Sequence, residues 1–201
     1  MDQHCDFSPL KLELKEQIQA LIDKMQQTLH ELDEETTCIL NDFGQIGEEI
    51  NTIESLAASF YLKCYLSTYT DQYSEISRSV RNLSQRRHGA LIVVQREDSL
   101  DGLITPGVSI DANLTYSLLE SVFVPGSPLH DGAVLLKSNK IASAANVLPL
   151  TGRITDRKLG TRHRAALGLT EQCDALVIVV SEETGKASFC VQGKIYAFAT
   201  G

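Results

Sequence analysis

The fold of this chain is decided by two apolar runs, Ala90-Leu91-Ile92-Val93-Val94 and Ala175-Leu176-Val177-Ile178-Val179-Val180. Neither run alternates with polar residues, so each predicts a strand that is buried on both faces of a sheet. Helical periodicity and turn signals predict helices at 70–87, 111–123 and 162–172, and strands at 133–136, 141–148, 187–191 and 194–199. Because helices alternate with buried strands and an antiparallel hairpin follows, we expect an α/β domain: a mixed β-sheet flanked by helices on both faces.

Residues 1–66 carry a different pattern, with apolar residues at alternating steps of four and three, as in helices that pack on helices. Ser8-Pro9 is a helix start signal, and Asn41-Asp42-Phe43-Gly44 offers a break. We therefore expect an N-terminal α-helical hairpin over 1–66 and a separate α/β domain over 67–201. Packing within one chain and pairing between chains explain its apolar seams equally well. The two seams are Ile18, Ile22, Met25, Leu29, Leu32, Thr36, Ile39 and Phe43, and Ile46, Ile50, Ile53, Ala57, Phe60 and Cys64.

Composition and charge exclude several classes of protein. The 201 residues are 43% hydrophobic, enough to bury one sizeable core. The net charge of −8 is uneven, because residues 1–66 carry 4 Lys/Arg against 13 Asp/Glu and residues 67–201 carry 14 against 13. Phosphates would repel the acidic part, and the remainder has no dense basic stripe, so we expect no nucleic-acid partner. A small anionic ligand held by local arginines stays compatible with this distribution.

Targeting signals and cysteines bear on the cellular compartment. No apolar run approaches the roughly 20 residues that cross a bilayer, and the first residues do not resemble a signal peptide. These features predict a cytoplasmic protein with no membrane segment. The cysteines have no C-x-x-C spacing and predict reduced thiols packed as small hydrophobes rather than a disulfide framework or a zinc site. They are Cys5, Cys38, Cys64, Cys173 and Cys190.

Three clusters at predicted strand ends or helix starts, where open α/β sheets bind ligands, have the residue types for chemistry. The first is Ser127-Pro128-Leu129-His130-Asp131-Gly132-Ala133-Val134. An aspartate directly before an apolar strand places its carboxylate at the strand end, where it can hold a divalent metal or a ribose hydroxyl. The following glycine lets a ligand approach the backbone. Taken alone, an Asp-Gly pair is better interpreted as an ordinary turn.

The second cluster is Gly160-Thr161-Arg162-His163-Arg164-Ala165-Ala166, which opens a predicted helix. Cations at a helix N-terminus oppose the helix dipole, and a bound anion would relieve that conflict. Free amides, guanidinium groups and the Thr161 hydroxyl would then all bind the anion, and a phosphate matches these donors. A solvated basic turn is the alternative interpretation, and the two are evenly balanced.

The third cluster is Ser181-Glu182-Glu183-Thr184-Gly185, at the end of the strand that finishes in Val180. Adjacent acids at a strand end are, in isolation, an exposed turn. Together with Asp131 they could bind Mg²⁺ or Mn²⁺ opposite the arginines. Carboxylates, a metal and phosphate-binding arginines are the components of phosphoryl or nucleotidyl transfer.

The ordered set LHDGAV, LPL, GTRHRAALGLTE and SEETG resembles the diadenylate cyclase domain, the family that makes cyclic di-AMP. The resemblance covers about residues 70–201. Acidic helices in front, without a membrane segment, are similar to those of the soluble sporulation-associated branch found in bacilli. The resemblance implies a catalytic domain over 67–201 that converts two ATP into cyclic di-3′,5′-AMP and two pyrophosphates. Val147 departs from the pattern, because related sequences often place an aromatic residue there.

The resemblance also assigns site residues by position. It implies that Asp131 activates the ribose 3′-hydroxyl, that the arginine cluster binds the triphosphate, and that an Mn²⁺ or Mg²⁺ ion assists. The implied catalytic residues are Asp131, Arg162, His163 and Arg164; the ATP-binding residues are Gly132, Ala133, Leu148, Thr161 and Ser181; the metal ligands are Asp131, Glu183 and, as a further candidate, His130.

Two other classes of function remain as alternatives. A nucleotide receptor would bind ATP or cyclic di-AMP without turnover, and a helical scaffold would carry an inert C-terminal domain. Loss of Asp131 or of the arginines would favour the receptor, and all of these residues are present. Since the product joins two adenylates through two bonds, we expect a homo-oligomer that pairs active sites, as a dimer of sites or within a hexamer. The hairpin is expected to inhibit the enzyme by setting the oligomer arrangement.

Overall fold

In a computed structural model of the chain, residues 8–32, 39–153 and 159–200 are described. These ranges hold five helices and seven strands, and the chain divides into two compact units, Met1–Tyr61 and Leu62–Gly201. The elements are α1 (Ser8–Glu31), α2 (Leu40–Ser67), α3 (Tyr73–Arg86), β1 (Ala90–Val94), β2 (Val108–Asn113), α4 (Tyr116–Val122), β3 (Ala133–Lys137), β4 (Lys140–Asn146), α5 (Thr161–Thr170), β5 (Leu176–Val180), β6 (Ala187–Val191) and β7 (Lys194–Phe198).

The seven strands form one mixed sheet in the order β2-β4-β3-β1-β5-β6-β7. Strands β1 and β3 run parallel, and the other neighbouring pairs are antiparallel. The two apolar runs that predicted the fold become β1 and β5, which lie side by side near the centre with every residue buried. The predicted class, a mixed sheet with helices in an α/β domain, is confirmed.

Helices cover the sheet because its central strands are apolar on both faces. Leu91 and Val93 of β1 and Val177 and Val179 of β5 form one cluster with the buried side of α5. The intervening residues of the same strands point to the opposite face and are buried as well. Helix α3, whose buried side chains include Ile76, Val80 and Leu83, also packs against β5.

The prediction of one helix over 111–123 is wrong for its first residues. Residues Val108–Asn113 form the edge strand β2, which pairs with β4 and has a bulge where Asp111 adopts a φ of 45°. Helix α4 begins only at Tyr116, after Thr115, whose hydroxyl accepts a hydrogen bond from the Leu118 amide. The helical spacing of the leucines in α4 led to a predicted helix that began too early, because residues up to Asn113 are held by strand pairing.

For the first apolar seam, the interpretation as packing within one chain is wrong, whereas pairing between chains stays a prediction. The seam residues of α1 that are described are exposed, Ile22 to 41% and Leu29 to 66%. Another face of α1 points inward, with Leu10 and Thr28 buried and Lys24 bonded to Gln45 and Glu49 of α2 at 2.7 Å each. Polar residues take part in this inner face, so apolar periodicity alone did not identify it.

The predicted break at Asn41-Asp42-Phe43-Gly44 is a third correction, because these residues lie inside α2. A glycine in a helix interior is unfavourable by only about 1 kcal/mol relative to alanine, and a long apolar helix tolerates it. Residues 33–38, including Thr36 of the predicted seam, lie outside the described ranges.

Helix α2 contributes to both compact units, since its last residues belong to the second one. Within that unit Leu62 and Leu66 are buried, and Tyr65 contacts Phe189 edge to face with the ring centroids 6.4 Å apart. The predicted boundary between 66 and 67 stays a prediction, but these contacts favour a cut before Leu62. No helix in the described part of the chain is long and apolar enough to span a membrane.

Cysteine chemistry differs between positions. Cys173 and Cys190 are free thiols, as predicted, and burial raises the pKa of Cys190 to about 12. The prediction of a reduced thiol is wrong for Cys64, which is disulfide-bonded. Cys5 and Cys38 lie outside the described residues.

Candidate active site

The three predicted clusters meet at one edge of the sheet. Pairing of Ala90 with Val180 and of Ala133 with Asn146, together with the parallel register of β1 and β3, brings four strand ends to this edge. They are the N-terminal ends of β1 and β3 and the C-terminal ends of β4 and β5. Since β1 separates β3 from β5, the first and third clusters lie about 10 Å apart. Because β1 and β5 are antiparallel, as are β3 and β4, this edge combines amino and carboxyl ends of strands.

Asp131 is exposed, and its carboxylate has no hydrogen bond or ion pair with any described residue. The next residue, Gly132, has a φ of 119°. A Cβ atom there would lie 2.8 Å from the Ala145 carbonyl carbon and 2.8 Å from the Asn146 oxygen. The glycine is therefore needed for the close approach of β4, a reason that the sequence did not reveal. The result is a carboxylate presented to solvent on a rigid backbone.

Asn146 fixes this corner, although sequence analysis did not select it. It is buried, its Nδ2 donates to the Ala133 carbonyl at 2.8 Å, and its Oδ1 accepts from the Gly107 amide at 3.0 Å. These bonds join β3, β4 and the segment before β2 next to Asp131. Within the predicted pocket Ala133 and Leu148 are buried, whereas the intervening Val147 is exposed.

The loop after Leu148 is held against α5. The Thr151 amide donates to the Arg164 carbonyl at 3.0 Å, and a Cβ atom on Gly168 would lie 2.3 Å from the Pro149 oxygen. Gly168 therefore lets the loop lie directly on the helix. This contact connects the predicted adenosine pocket to the helix that carries the arginines, and only the folded structure reveals it.

The arginine cluster forms the first turn of α5 as predicted. Gly160 is the N-cap, and no side chain caps the helix, so its first amides are available to an anion. Arg162 donates from Nη1 to Oε2 of Glu182 at 2.7 Å, and its side chain is only 23% exposed. Thr161 and Arg164 are exposed, and the Arg164 guanidinium makes no hydrogen bond or ion pair within the described residues. One arginine is thus held by a carboxylate while the other stays free for a ligand.

His163 lies between opposing charges. Burial lowers the pKa of its imidazole below 6.5, the positive charge of Arg162 lowers it further, and the carboxylate of Glu183 raises it. His163 is therefore neutral at pH 7 and can act as a hydrogen-bonding group rather than as a cation.

Removing the charge of Glu183 and removing that of Arg162 should shift the His163 pKa in opposite directions. We expect Glu183→Gln to lower it and Arg162→Ala to raise it, as measured by an NMR titration of the imidazole protons. Because the native pKa is below the unfolded value, wild-type stability should fall as the pH drops through 6.5, and His163→Gln should flatten that dependence. A His163 pKa above 6.5 in the wild type would contradict this assignment.

The third cluster is a tight turn docked on α3. The Gly185 amide donates to the Ser181 carbonyl at 2.9 Å, and the Ser84 hydroxyl donates to the Gly185 carbonyl at 2.6 Å. Ser181 Oγ accepts from the Thr184 amide at 3.3 Å, which leaves its hydroxyl hydrogen free to donate. The two glutamates of this turn have different partners. Glu182 forms an ion pair with Arg162, whereas the carboxylate of Glu183 raises the pKa of His163.

The predicted metal ligands do not form a complete cage. In the described ranges, no group of three or more His, Cys, Asp or Glu side chains could hold a metal ion. His130 already directs Nδ1 to the Ser127 carbonyl oxygen. The carboxylates of Asp131 and Glu183 are of the type that holds Mg²⁺ or Mn²⁺, because such ions are bound by one or two carboxylates and complete their shell with substrate phosphates and water.

Two family models match this chain. One, described as DisA bacterial checkpoint controller nucleotide-binding and abbreviated DAC, covers residues 77–195, which include all three clusters. The other, described as diadenylate cyclase CdaS, N-terminal, covers residues 1–69. The chain belongs to the diadenylate cyclase (DAC) family. The family membership predicted from the sequence motifs is therefore confirmed.

Named DAC relatives cover most of the chain. It is 48% identical over 191 residues to diadenylate cyclase CdaS of Bacillus thuringiensis, which spans 94% of this chain and 95% of that protein. Identity to cyclic di-AMP synthase CdaS of Bacillus subtilis is 49% over 170 residues, or 85% of this chain and 81% of that protein. The crystal structure of a hypothetical membrane spanning protein from Bacillus cereus matches with a TM-score of 0.80 and 47% identity, covering 96% and 95% of the two chains. The similarity thus extends over the DAC domain and the segment before it.

Proposed function

We propose that this chain condenses two molecules of ATP into cyclic di-3′,5′-AMP and two pyrophosphates. As a member of the diadenylate cyclase family it is a nucleotidyltransferase. The observation that carries the proposal is the convergence of an exposed carboxylate, an arginine-rich helix N-terminus and an acidic turn on one edge of the sheet. This set provides a place for a ribose hydroxyl beside a place for a triphosphate.

In the proposed reaction, the 3′-oxygen of one ATP attacks the α-phosphorus of a second ATP. A P–O bond forms, the bond between the α- and β-phosphates breaks, and pyrophosphate leaves while the hydroxyl loses its proton. Asp131 orients the hydroxyl and favours loss of that proton, and repetition with the roles reversed closes the ring. Such a transfer depends on positioning and charge neutralisation more than on a strong base.

The remaining residues bind and orient the nucleotide. Arg162, Arg164, the Thr161 hydroxyl and the free amides of α5 contact the phosphates, with Ser181 donating to a phosphate oxygen. Gly132, Ala133 and Leu148 line the adenosine pocket, and neutral His163 hydrogen bonds without adding charge. A divalent ion, Mn²⁺ or Mg²⁺, held by Asp131 and Glu183, would neutralise phosphate charge and acidify the attacking hydroxyl when bound. His130 is a further candidate ligand.

The direct test is conversion of radiolabelled ATP with Mn²⁺, comparing wild type with Arg162→Ala combined with Arg164→Ala. We expect cyclic di-AMP from the wild type and a KM for ATP about a hundredfold higher in the variant, because two charge-assisted contacts are lost. Arg81→Ala, which removes a bond to the carbonyl of Thr200, serves as the control. Tight ATP binding by a wild type that forms no product would instead favour the nucleotide-receptor alternative.

The stoichiometry further requires an assembly. Each DAC domain has one set of these residues. Because the 3′-oxygen of each nucleotide must bond to the α-phosphorus of the other, two sites must face each other. We therefore propose a homo-oligomer with paired sites in the cytoplasm, without nucleic acid, a hexamer being one such arrangement. A separate surface for contact between copies lies on α1, whose exposed seam includes Ile22 and Leu29.

We propose that this exposed seam of α1 restrains the enzyme by fixing an oligomer in which few sites face each other. The hairpin itself takes no part in the chemistry, since the −9 balance of residues 1–66 would repel a triphosphate. Apolar side chains this exposed are stabilised when another surface covers them. Contact with α1 of a neighbouring copy would cover the seam without disturbing the inner face of the hairpin.

Charging the seam should release the restraint. We expect Ile22→Lys with Leu29→Lys to give a smaller particle in analytical ultracentrifugation and a specific activity several-fold higher. Gln26→Lys with His30→Lys adds the same two lysines at exposed positions of α1 outside the seam and should change neither the particle size nor the activity. Deleting residues 1–61 is the stronger version, because it retains Leu62, Tyr65 and Leu66. A smaller particle that keeps paired sites and is no more active than the wild type would contradict restraint by the hairpin.

A further inference from the structure

Gly89 lies directly before β1, beside the ion pair of Arg162 and Glu182. A Cβ atom on Gly89 would lie 2.6 Å from Nη1 and 2.7 Å from Cζ of Arg162, and 3.0 Å from Oε2 of Glu182. Real Cβ atoms essentially never come within 3.0 Å of another heavy atom in this way. The Arg162 guanidinium therefore occupies the volume that a side chain at position 89 would need.

The backbone conformation does not explain the glycine. Gly89 is not among the residues with positive φ, so an alanine could adopt its conformation without strain. Nor does close packing of main chains explain it, because the three nearest atoms all belong to side chains. Gly107, Gly132 and Gly168 differ in this respect, since a Cβ at each would meet backbone atoms. The absence of a side chain at Gly89 therefore makes room for the guanidinium of Arg162.

This position holds Arg162 before any nucleotide arrives. The guanidinium lies against the main chain at the start of β1, and Glu182 holds it through one hydrogen bond of 2.7 Å. A guanidinium has five N–H donors, so the others remain for phosphate oxygens. A long side chain that is already fixed loses less conformational entropy on binding than a mobile one.

We propose that Gly89 is a positioning residue for nucleotide binding, because its missing side chain creates the space in which Arg162, paired with Glu182, is preorganised for the triphosphate. The proposal rests on the proposed function, in which Arg162 contacts phosphate. Gly89 acts through Arg162 and does not touch the substrate.

Gly89→Ala in the full chain tests the proposal. The clashing atoms are the far end of a flexible side chain, so the guanidinium should move while the fold survives. We expect a non-hydrolysable ATP analogue to bind about tenfold more weakly by isothermal titration calorimetry, with little change in the unfolding midpoint. Wild-type affinity in a folded Gly89→Ala variant would overturn the proposal.

A double-mutant cycle with Arg162→Ala separates this inference from the function on which it rests. If Gly89 acts through Arg162, then Gly89→Ala should have no further effect in the Arg162→Ala background. An equal loss of affinity in both backgrounds overturns the role of Gly89. Failure of the proposed function gives a different result: no cyclic di-AMP from the wild type, or no effect of Arg162→Ala on analogue binding.

Gly193→Ala is the matched control for general destabilisation. Gly193 has a φ of 66° in the β6–β7 turn, at the opposite edge of the sheet from the three clusters. Alanine there should lower the unfolding midpoint, through backbone strain and through a Cβ contact of 2.9 Å with Cγ of Glu171, but leave the affinity for the analogue unchanged. An affinity loss as large as that of Gly89→Ala would show that loss of stability alone accounts for the effect, and would overturn the proposal.

Discussion

Replacing Asp131 by asparagine is expected to lower the rate of cyclic di-AMP formation about a thousandfold, within the range for a residue that assists proton transfer. The substitution preserves the shape of the side chain but removes its charge from the place where the 3′-hydroxyl and a divalent ion would meet. Because Asp131 is exposed and bonds to no described side chain, the fold and the affinity for ATP should remain. Turnover, analogue binding and thermal unfolding, measured on the same preparation, test these three expectations.

Asp111→Asn is the matched control for this variant. Asp111 is also exposed, and its ion pair with Lys140 lies on the surface. Surface ion pairs contribute little, and Asn accepts the positive φ at this position, so activity should be unchanged. Equal turnover by wild type and Asp131→Asn would refute the assignment of the site.

Gly132→Ala is expected to destabilise the DAC domain by about 3 kcal/mol or more, combining backbone strain with the cost of overpacking. A Cβ there would meet the Ala145 and Asn146 backbone of β4, which is fixed in the sheet and has no room to retreat. The strand pair that presents Asp131 would separate locally, so activity should fall with stability. Urea unfolding of the full chain measures the change.

Gly126→Ala separates the two contributions. Gly126 also has a positive φ, 85°, but a Cβ atom there would meet no heavy atom within 4 Å. We expect a loss of about 1 kcal/mol from strain alone. Similar losses for the two variants would mean that the close approach of β4 is not what requires glycine at position 132.

The sequence predicted the features that depend on local composition. Two apolar runs indicated central strands, and the three polar clusters occupy the strand ends and the helix start where they were expected. Their convergence on one edge depends on which strands pair with each other. The antiparallel pairing of β1 with β5 places Ser181 beside Gly89, and no local pattern encodes which strands become neighbours.

Contacts between distant residues account for the failures. Gly132 was expected to let a ligand approach the backbone, whereas a Cβ atom there would meet Ala145 and Asn146 of β4. The neighbour of Gly89 is likewise distant in sequence, since it is the side chain of Arg162. In α1, the inward face includes Lys24 and Thr28, whose polar atoms are bonded within the hairpin. Apolar spacing cannot reveal such a face, because Lys24 takes its hydrogen-bond partners from α2, 21 or more residues away, and Thr28 bonds to the main chain of its own helix.

The central position of β1 has a consequence for synthesis on the ribosome. Its pairing with β5 joins Ala90 to Val180, so the sheet edge that carries the site stays unfinished until nearly the whole chain has emerged. Closing so long a loop is slow compared with forming the helices that come first. The N-terminal helices can therefore fold, and meet the same segment of a neighbouring nascent chain, before any nucleotide site exists. If α1 joins copies as proposed, assembly would then precede the capacity to react.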